Sequence, residues 1–284
     1  MQRLYPILFV FLWSTGFIGA KYGLPHAGPL SFLLVRYGFV ITLMLLIALA
    51  TRAPWPREPT QWLHIAVCGV LVHAVYLGGV FVAIKHGLPA GVTALVVGMQ
   101  PLLTAFGADW LLDETVSGRQ WAGLALGFVG VGLVVSGKFG DGAPLGPMLV
   151  PALVALLGIT AGTLYQKRFC AQFDLRTGSV IQFVPTAIVT ALAIALFEEF
   201  HIEWTRDFIF ALGWLVVVLS LGAISLLNLL IRGGSAVNVA SLFYLTPIST
   251  AVIAWAVFGE KLTLTATAGM LLAVSGVYLV ARAK

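Results

Sequence analysis

The stretch VVGMQPLLTAFGADWLLDE, residues 96–114, is apolar almost throughout, carries a proline in its interior and ends on a glutamate thirteen residues after that proline. Residues 242–260, LFYLTPISTAVIAWAVFGE, follow the same plan. Sliding the sequence on itself by about 146 residues places Pro101 on Pro247 and Glu114 on Glu260, and the register holds in both directions. It pairs Gly87 with Gly233, Ala94 with Ala240, Thr104 with Thr250, Gly123 with Gly269 and Gly130 with Gly276. GVGLVV at 130–135 falls over GVYLVA at 276–281, and at the front of each half Gly16 meets Gly162 and Lys21 meets Lys167. One unit has been duplicated.

The repeated unit is built for a bilayer. The chain is 60% hydrophobic and only 10% charged, with a mean hydropathy of +1.01, far from the composition of a soluble domain. A hydrocarbon core of about 30 Å takes about 20 apolar residues per helix. Ten such runs are expected: 4–21, 29–51, 62–84, 89–112, 119–137, 147–168, 177–197, 208–231, 236–259 and 263–281. Transmembrane β-strands would alternate apolar and polar residues, and VITLMLLIALA and GWLVVVLSLGA do not. The connections are too short for a soluble domain. The fold class expected is therefore all-α integral membrane, ten transmembrane helices in two five-helix repeats, residues 1–140 and 141–284.

Five spans per unit is an odd number, so the second unit starts on the opposite face of the membrane and the repeats are inverted. Inverted repeats are a recurring construction of secondary transporters, because exchanging the conformations of the two halves turns an outward-open shape into an inward-open one. The first twenty residues imitate a signal peptide, but their partner in the second half marks them as a retained span. The formal net charge of +5 is scattered among loops rather than clustered, which points to orientation and not to nucleic acid. With a cytoplasmic N-terminus, about ten Lys and Arg fall inside against about five outside. Both termini are expected in the cytoplasm, with the chain in a bacterial inner membrane.

A proline in a helix lacks the backbone donor and crowds the carbonyl four residues earlier, so Pro101 should free the carbonyl of Val97 and Pro247 that of Phe243. A freed carbonyl cannot face lipid. Both prolines are thus expected in the protein interior beside a cavity, as a pair of hinges.

The doubled five-span unit, the elements PLLTAFGADWLLDE and PISTAVIAWAVFGE, the following GRQWAGLALGFVGVGLVV and TATAGMLLAVSGVYLV, and the arginine of FLLVRYGF together resemble the drug/metabolite transporter superfamily in its ten-span EamA branch. The resemblance covers essentially the whole chain. It implies a carrier, and members similar to this chain export amino acids and related metabolites, while others carry drugs, nucleotide sugars or phosphorylated compounds.

Polar residues inside spans are few and mostly uncharged, with Arg36 the one basic side chain clearly within a span. A polyanion would call for several buried cations; a zwitterion or neutral solute can be held by hydroxyl, amide and backbone groups against aromatic walls. Amino acids fit. The substrate lining is expected to comprise Trp13, Tyr76, Met99, Gln100, Tyr165, Asn228 and Tyr244, at mid-depth on several spans. Lys21 with Glu260 at the outer ends of spans, and Lys167 with Glu114 at the inner ends, are expected to form ionic gates exchanged by the inversion. Asp109 is the one carboxylate placed to carry a proton, and its counterpart is Trp255, so movement down the solute gradient is expected. The small residues Gly123, Gly127, Gly269 and Gly276 allow close helix approach. An integral membrane enzyme would need clustered catalytic groups, and the five histidines are dispersed. No cofactor motif or metal-ligand spacing occurs, Cys68 and Cys170 included. The partners expected are a small-molecule substrate and the lipid bilayer.

Overall fold

The computed structural model describes residues 4–88, 90–136, 146–170, 172–258 and 263–283, and these are helical without a strand. The helices are α1 Tyr5–Gly23, α2 Pro29–Ala50, α3 Pro59–Lys85, α4 Ala90–Val97 and α5 Gln100–Leu112. They continue with α6 Gly118–Ser136, α7 Gly146–Phe169, α8 Leu175–Phe197 and α9 Arg206–Gly233. The last are α10 Ala236–Ser241, α11 Leu245–Phe258 and α12 Leu264–Arg282. Pro29 and Pro59 open their helices, where a missing N–H costs nothing. The side chains of Thr205, Ser235 and Thr263 cap theirs by accepting from Phe208 N, Asn238 N and Ala266 N.

Among the described residues eight stretches are long and apolar enough to cross a bilayer, and Tyr5–Gly16 adds a shorter apolar run. The helix α6 is diluted by Arg119, Gln120 and its glycines, yet it is packed along the spanning helix α12.

Hydrogen bonds between helix ends divide the bundle into two ends. At the first, Lys85 Nζ at the close of α3 donates to Leu24 O (2.9 Å) and Ala27 O (3.2 Å) just beyond α1. There Glu198, following α8, accepts from Leu30 N (3.0 Å) and Ser31 N (2.8 Å) at the start of α2. At the second, Lys167 Nζ on α7 donates to Ile231 O (3.1 Å) and Gly234 O (2.5 Å) at the close of α9. Thr177 Oγ1 on α8 donates to Pro54 O beyond α2 (2.9 Å). Hence α1 and α3 finish at the first end, which we call the Gly23 end, and α7 and α9 at the second, the Ser235 end.

The pair α6 and α12 crosses antiparallel through glycines. A Cβ on Gly276 would fall 2.5 Å from Gly123 O and Gly127 N, and one on Gly130 would fall 2.6 Å from Gly269 O. Gly123 therefore meets the 146-shift equivalent of Gly130, and Gly130 the equivalent of Gly123. Reciprocal contacts of this kind are the mark of a two-fold axis.

Two further interfaces are equivalent under the same shift but differ in closeness. Between α3 and α7 the backbones nearly touch: a Cβ on Gly79 would lie 2.5 Å from Pro151 O, and one on Gly158 3.0 Å from Tyr76 N. Between α1 and α9, Gly16 and Gly19 meet only the side chains of Leu219 and Leu215, at 3.1 and 3.0 Å.

The two proline elements are broken helices rather than bent ones. The helix stops at Val97 and restarts at Gln100, with Pro101 in the new first turn. In the second half it stops at Ser241, passes through a 3-10 turn at Leu242–Tyr244 and restarts at Leu245. Restarting before the proline removes the clash that a continuous helix would suffer. The carbonyl of Phe243 is taken by Thr246 Oγ1 at 2.8 Å. Proline alone does not cause the break, since Pro151 and Pro185 sit inside unbroken helices.

A feature absent from the sequence reading is also duplicated. Both α3 and α9 widen into π-helix, over Val70–Leu77 and Leu215–Ala223, and the two segments overlap under the 146-residue shift. Such widening is frequent at functional sites.

Gly276→Ala is expected to lower the melting temperature and the folded yield in detergent, because backbone atoms must move apart at a cost of about 1–3 kcal/mol. Gly213→Ala is the control: its Cβ would meet nothing within 4 Å, and alanine gains about 1 kcal/mol of helix propensity, so its melting temperature should hold or rise.

Candidate functional site

The looser seam between α1 and α9 leaves a cavity with about 510 Å³ of space free of protein atoms, counting its open side. It runs from Trp13 and Tyr76 at mid-depth, along Gly16 and Ala20 of α1 and Val80 and Ile84 of α3, toward the Gly23 end; Leu215, Leu219 and Ile224 of α9 close the other side. Among the described residues Arg36 of α2 is its single charged lining residue. A second space, about 370 Å³ free of protein atoms when its open side is counted, lies against both broken helices: Val97 and Gly98 on one, Phe243, Thr246 and Pro247 on the other.

Trp13, Tyr76 and Val80 line both spaces. The Trp13 and Tyr76 rings are nearly parallel, 11° apart with centroids at 6.4 Å. Phe243 meets Trp13 edge-on at 5.3 Å. Aromatic pairs with such offsets are favourable, so the two rings form a partition between the open cavity and the broken helices. Beyond it, Ser14 Oγ donates to Thr246 O at 3.1 Å, tying α1 to the second break.

Arg36 is 3% exposed. Its Nε donates to Ser220 Oγ at 3.0 Å, and Ser220 Oγ in turn donates to Leu215 O at 3.2 Å across the π-helical turn. The sequence carried the signal, since this was the one cation inside a span, but Arg36 was not among the residues expected to line the site.

Of the seven expected lining residues, the structure brings Trp13 and Tyr76 together at the cavity. Met99, Gln100, Tyr165, Asn228 and Tyr244 line neither space in this conformation, and for most of them protein partners or packing are the reason. Gln100 Nε2 donates to Thr163 Oγ1 on α7 at 3.4 Å. Tyr165 OH pairs with His64 Nδ1 at 2.7 Å, and Asn228 Oδ1 accepts from Gln166 Nε2 at 2.7 Å. Tyr244 is fully buried against Gly127, where a Cβ would lie 2.5 Å from its ring. Met99 stands half-buried in the break between α4 and α5.

The inner charged pair differs from the expected direct contact. Lys167 and Glu114 form no ion pair; both grip the α9–α10 turn from its two sides. Lys167 holds the last carbonyls of α9, and Glu114 accepts from Ala236 N at 3.0 Å at the start of α10. Each charge has the sign that its helix terminus favours. Of the expected outer pair, Glu260 lies outside the described residues, as does the side chain of Lys21. Asp109 is exposed on α5. At the Gly23 end, Glu203 faces His26 and His201, each at 3.5 Å; the His26 and His201 contacts hold its carboxyl below the usual range.

A multi-pass helical membrane protein with an interior cavity at mid-depth is the class defined so far. The sequence profile of the EamA-like transporter family matches residues 3–136 and again 146–282, and the chain belongs to that family. Among relatives, the "uncharacterized transporter YvbV" of Bacillus subtilis (strain 168) is 29% identical over 274 residues, covering 95% of this chain and 88% of its own. The "probable amino-acid metabolite efflux pump" of Salmonella typhimurium (strain LT2) is 26% identical, over 96% and 92%. The "uncharacterized inner membrane transporter YedA" of Escherichia coli (strain K12) is 25% identical, over 89% and 81%. One protein of known crystal structure, 19% identical, superposes with a TM-score of 0.78 over 98% of this chain and 95% of its own, a likeness of fold.

Trp13→Ala should merge the two cavities and remove an aromatic contact worth about 0.5–1.5 kcal/mol, weakening the retention of a transported solute by up to about tenfold. The half-saturating concentration for uptake into liposomes is the measurement; an unchanged value would place the solute elsewhere.

Proposed function

We propose that the chain is a secondary transporter of two inverted five-helix repeats, ten spans in all, which carries amino acids or related small zwitterionic or neutral metabolites by alternating access. The observation that carries this reading is the inequality of two equivalent seams. The seam of α3 with α7 is shut backbone to backbone, while that of α1 with α9 rests on leucine tips and holds a cavity. Exchanging the two conformations would shut the Gly23 end and open the Ser235 end, around the Trp13–Tyr76 partition and the two broken helices at Pro101 and Pro247. The reversed helix directions and the reciprocal glycine contacts of α6 with α12 support the inversion.

The Lys167 and Glu114 contacts act in this scheme as the latch of the Ser235 end. The distribution of Lys and Arg supports a cytoplasmic location for that end and for both termini, and the inner-membrane relative supports a bacterial inner membrane. Amino acids as cargo rest on the name of the Salmonella relative and on the cavity's aromatic walls. Among the described residues no carboxylate lines the cavity, which supports movement down the solute gradient without a proton carrier.

The test is the purified chain in liposomes, offered a panel of amino acids, nucleosides and cationic drugs. Saturable uptake with counterflow is expected for amino acids; linear, non-saturating flux or none would overturn the carrier reading. Cys68 supplies an independent readout. It is fully buried on α3, with Sγ 3.4 Å from Gln166 Oε1 of α7, so a maleimide should label it slowly at rest. Lys167→Met should speed that labelling several-fold by releasing the latch.

A further inference from the structure

We propose that Arg36 is the anion-binding subsite of the open cavity and that the solute it selects carries a carboxylate on an apolar body. This rests on the carrier reading above and narrows its substrate class. A guanidinium offers five N–H donors in a planar fork. One of them, on Nε, is used by Ser220. The side chain is 97% buried, being 3% exposed, and the rest of its fork has no acceptor among the described residues. No carboxylate lies within 4.0 Å of it either, since the ion pairs present involve His26, Arg176 and His201. A permanent charge held in a membrane interior without a counter-charge is a functional feature by default. The serine fixes one edge of the fork and leaves the guanidinium as part of the cavity wall, free for two parallel bonds to a carboxylate.

The duplication supplies an internal control against a purely structural role. Under the 146-residue shift Arg36 falls on Gln182, which is 2% exposed on α8. Gln182 lies against α3 on the shut side at the residue just before its π-helical part, where a Cβ on Gly69 would come within 2.5 Å of the Gln182 backbone. The π-segment of α3 thus forms with a neutral residue at the place where the α9 half has a cation. Holding the π-segment does not require a charge. What distinguishes the Arg36 half is the cavity beside it.

The remaining wall is aromatic and aliphatic, with Trp13, Tyr76 and Phe81 facing Leu215 and Leu219. That combination suits apolar amino acids and aryl or alkyl carboxylic acids, and disfavours amines and amides that lack the anionic group. An ammonium, where the solute has one, is served by the faces of Trp13 and Tyr76.

The experiment uses the purified full-length chain with five probes: L-leucine, L-phenylalanine, phenylacetate, L-phenylalaninamide and phenethylamine. Thermal stabilisation in detergent and counterflow in liposomes are both read. The three carboxylates are expected to act at concentrations at least tenfold lower than the amide and the amine. Arg36→Gln should erase that difference, while Arg36→Lys keeps the order with weaker binding. A wild type that treats acid and amide alike, or a preference that survives Arg36→Gln, overturns the proposal. Should Arg36→Gln fail to fold, Ser220→Ala keeps the charge and loses its anchor: carboxylates should weaken severalfold and the amine should not, and an equal loss for all probes overturns it. Stabilisation by chloride against gluconate, with no response to any organic carboxylate, would make Arg36 an inorganic-anion site and also overturn it. Transport of nucleosides or cationic drugs with no carboxylate response would sink this inference alone and leave the carrier reading standing.

Discussion

Helices in a bilayer gain nothing from hiding apolar surface from one another, because lipid is as apolar as leucine. What holds them is close contact, and closeness is set by where glycine stands. The seam of α3 with α7 is close because Gly79 and Gly158 admit a neighbouring backbone. The seam of α1 with α9 keeps Gly16 and Gly19 but faces them with Leu219 and Leu215, whose branched tips hold the helices apart. The cavity exists because of that difference, and its position toward the Gly23 end follows from which seam is loose.

The second constraint is that backbone polar groups cannot be left in hydrocarbon. The second broken helix obeys it with side chains from its own surroundings: Thr246 takes the carbonyl of Phe243, and Ser14 reaches Thr246 O from α1. The π-helical turns in α3 and α9 are the other irregularity, and Ser220 links one of them to Arg36. The π-turns and the second break thus each stand beside a cavity or a buried polar contact. The space beside them is walled mainly by aromatic and aliphatic side chains, with Arg36 as the charge set into it.

The halves are alike in fold and unlike in detail. Arg36 and Gln182 occupy equivalent places, as do Asp109 and Trp255, and the charges lie on one side of each comparison. An ideal duplicate would have no reason to rest in one asymmetric shape. At these equivalent positions one half offers a charge where the other has none.

Much of this was legible in the residues. Composition and run length placed the helices within a few positions, because a span must satisfy a fixed thickness wherever it lies. The 146-residue register paired the glycines of α6 and α12 before any contact was seen, since a two-fold crossing demands the same small residue twice. Trp13 and Tyr76 were legible as mid-depth aromatics. Gln100, Tyr165, Asn228 and Tyr244 had the same chemistry and depth but met Thr163, His64, Gln166 and Gly127 instead of a cavity, and helix rotation, which decides this, is fixed by neighbours and not by local sequence. The π-turns left no composition signal, since VLVHAVYL and LVVVLSLGA read as ordinary apolar helix. The sequence by itself determined the membrane class, the duplication and the positions of the breaks, all of which depend on local pattern. Only the tertiary structure decided which seam stands open and that Arg36 faces the space, because both depend on how whole helices settle against one another.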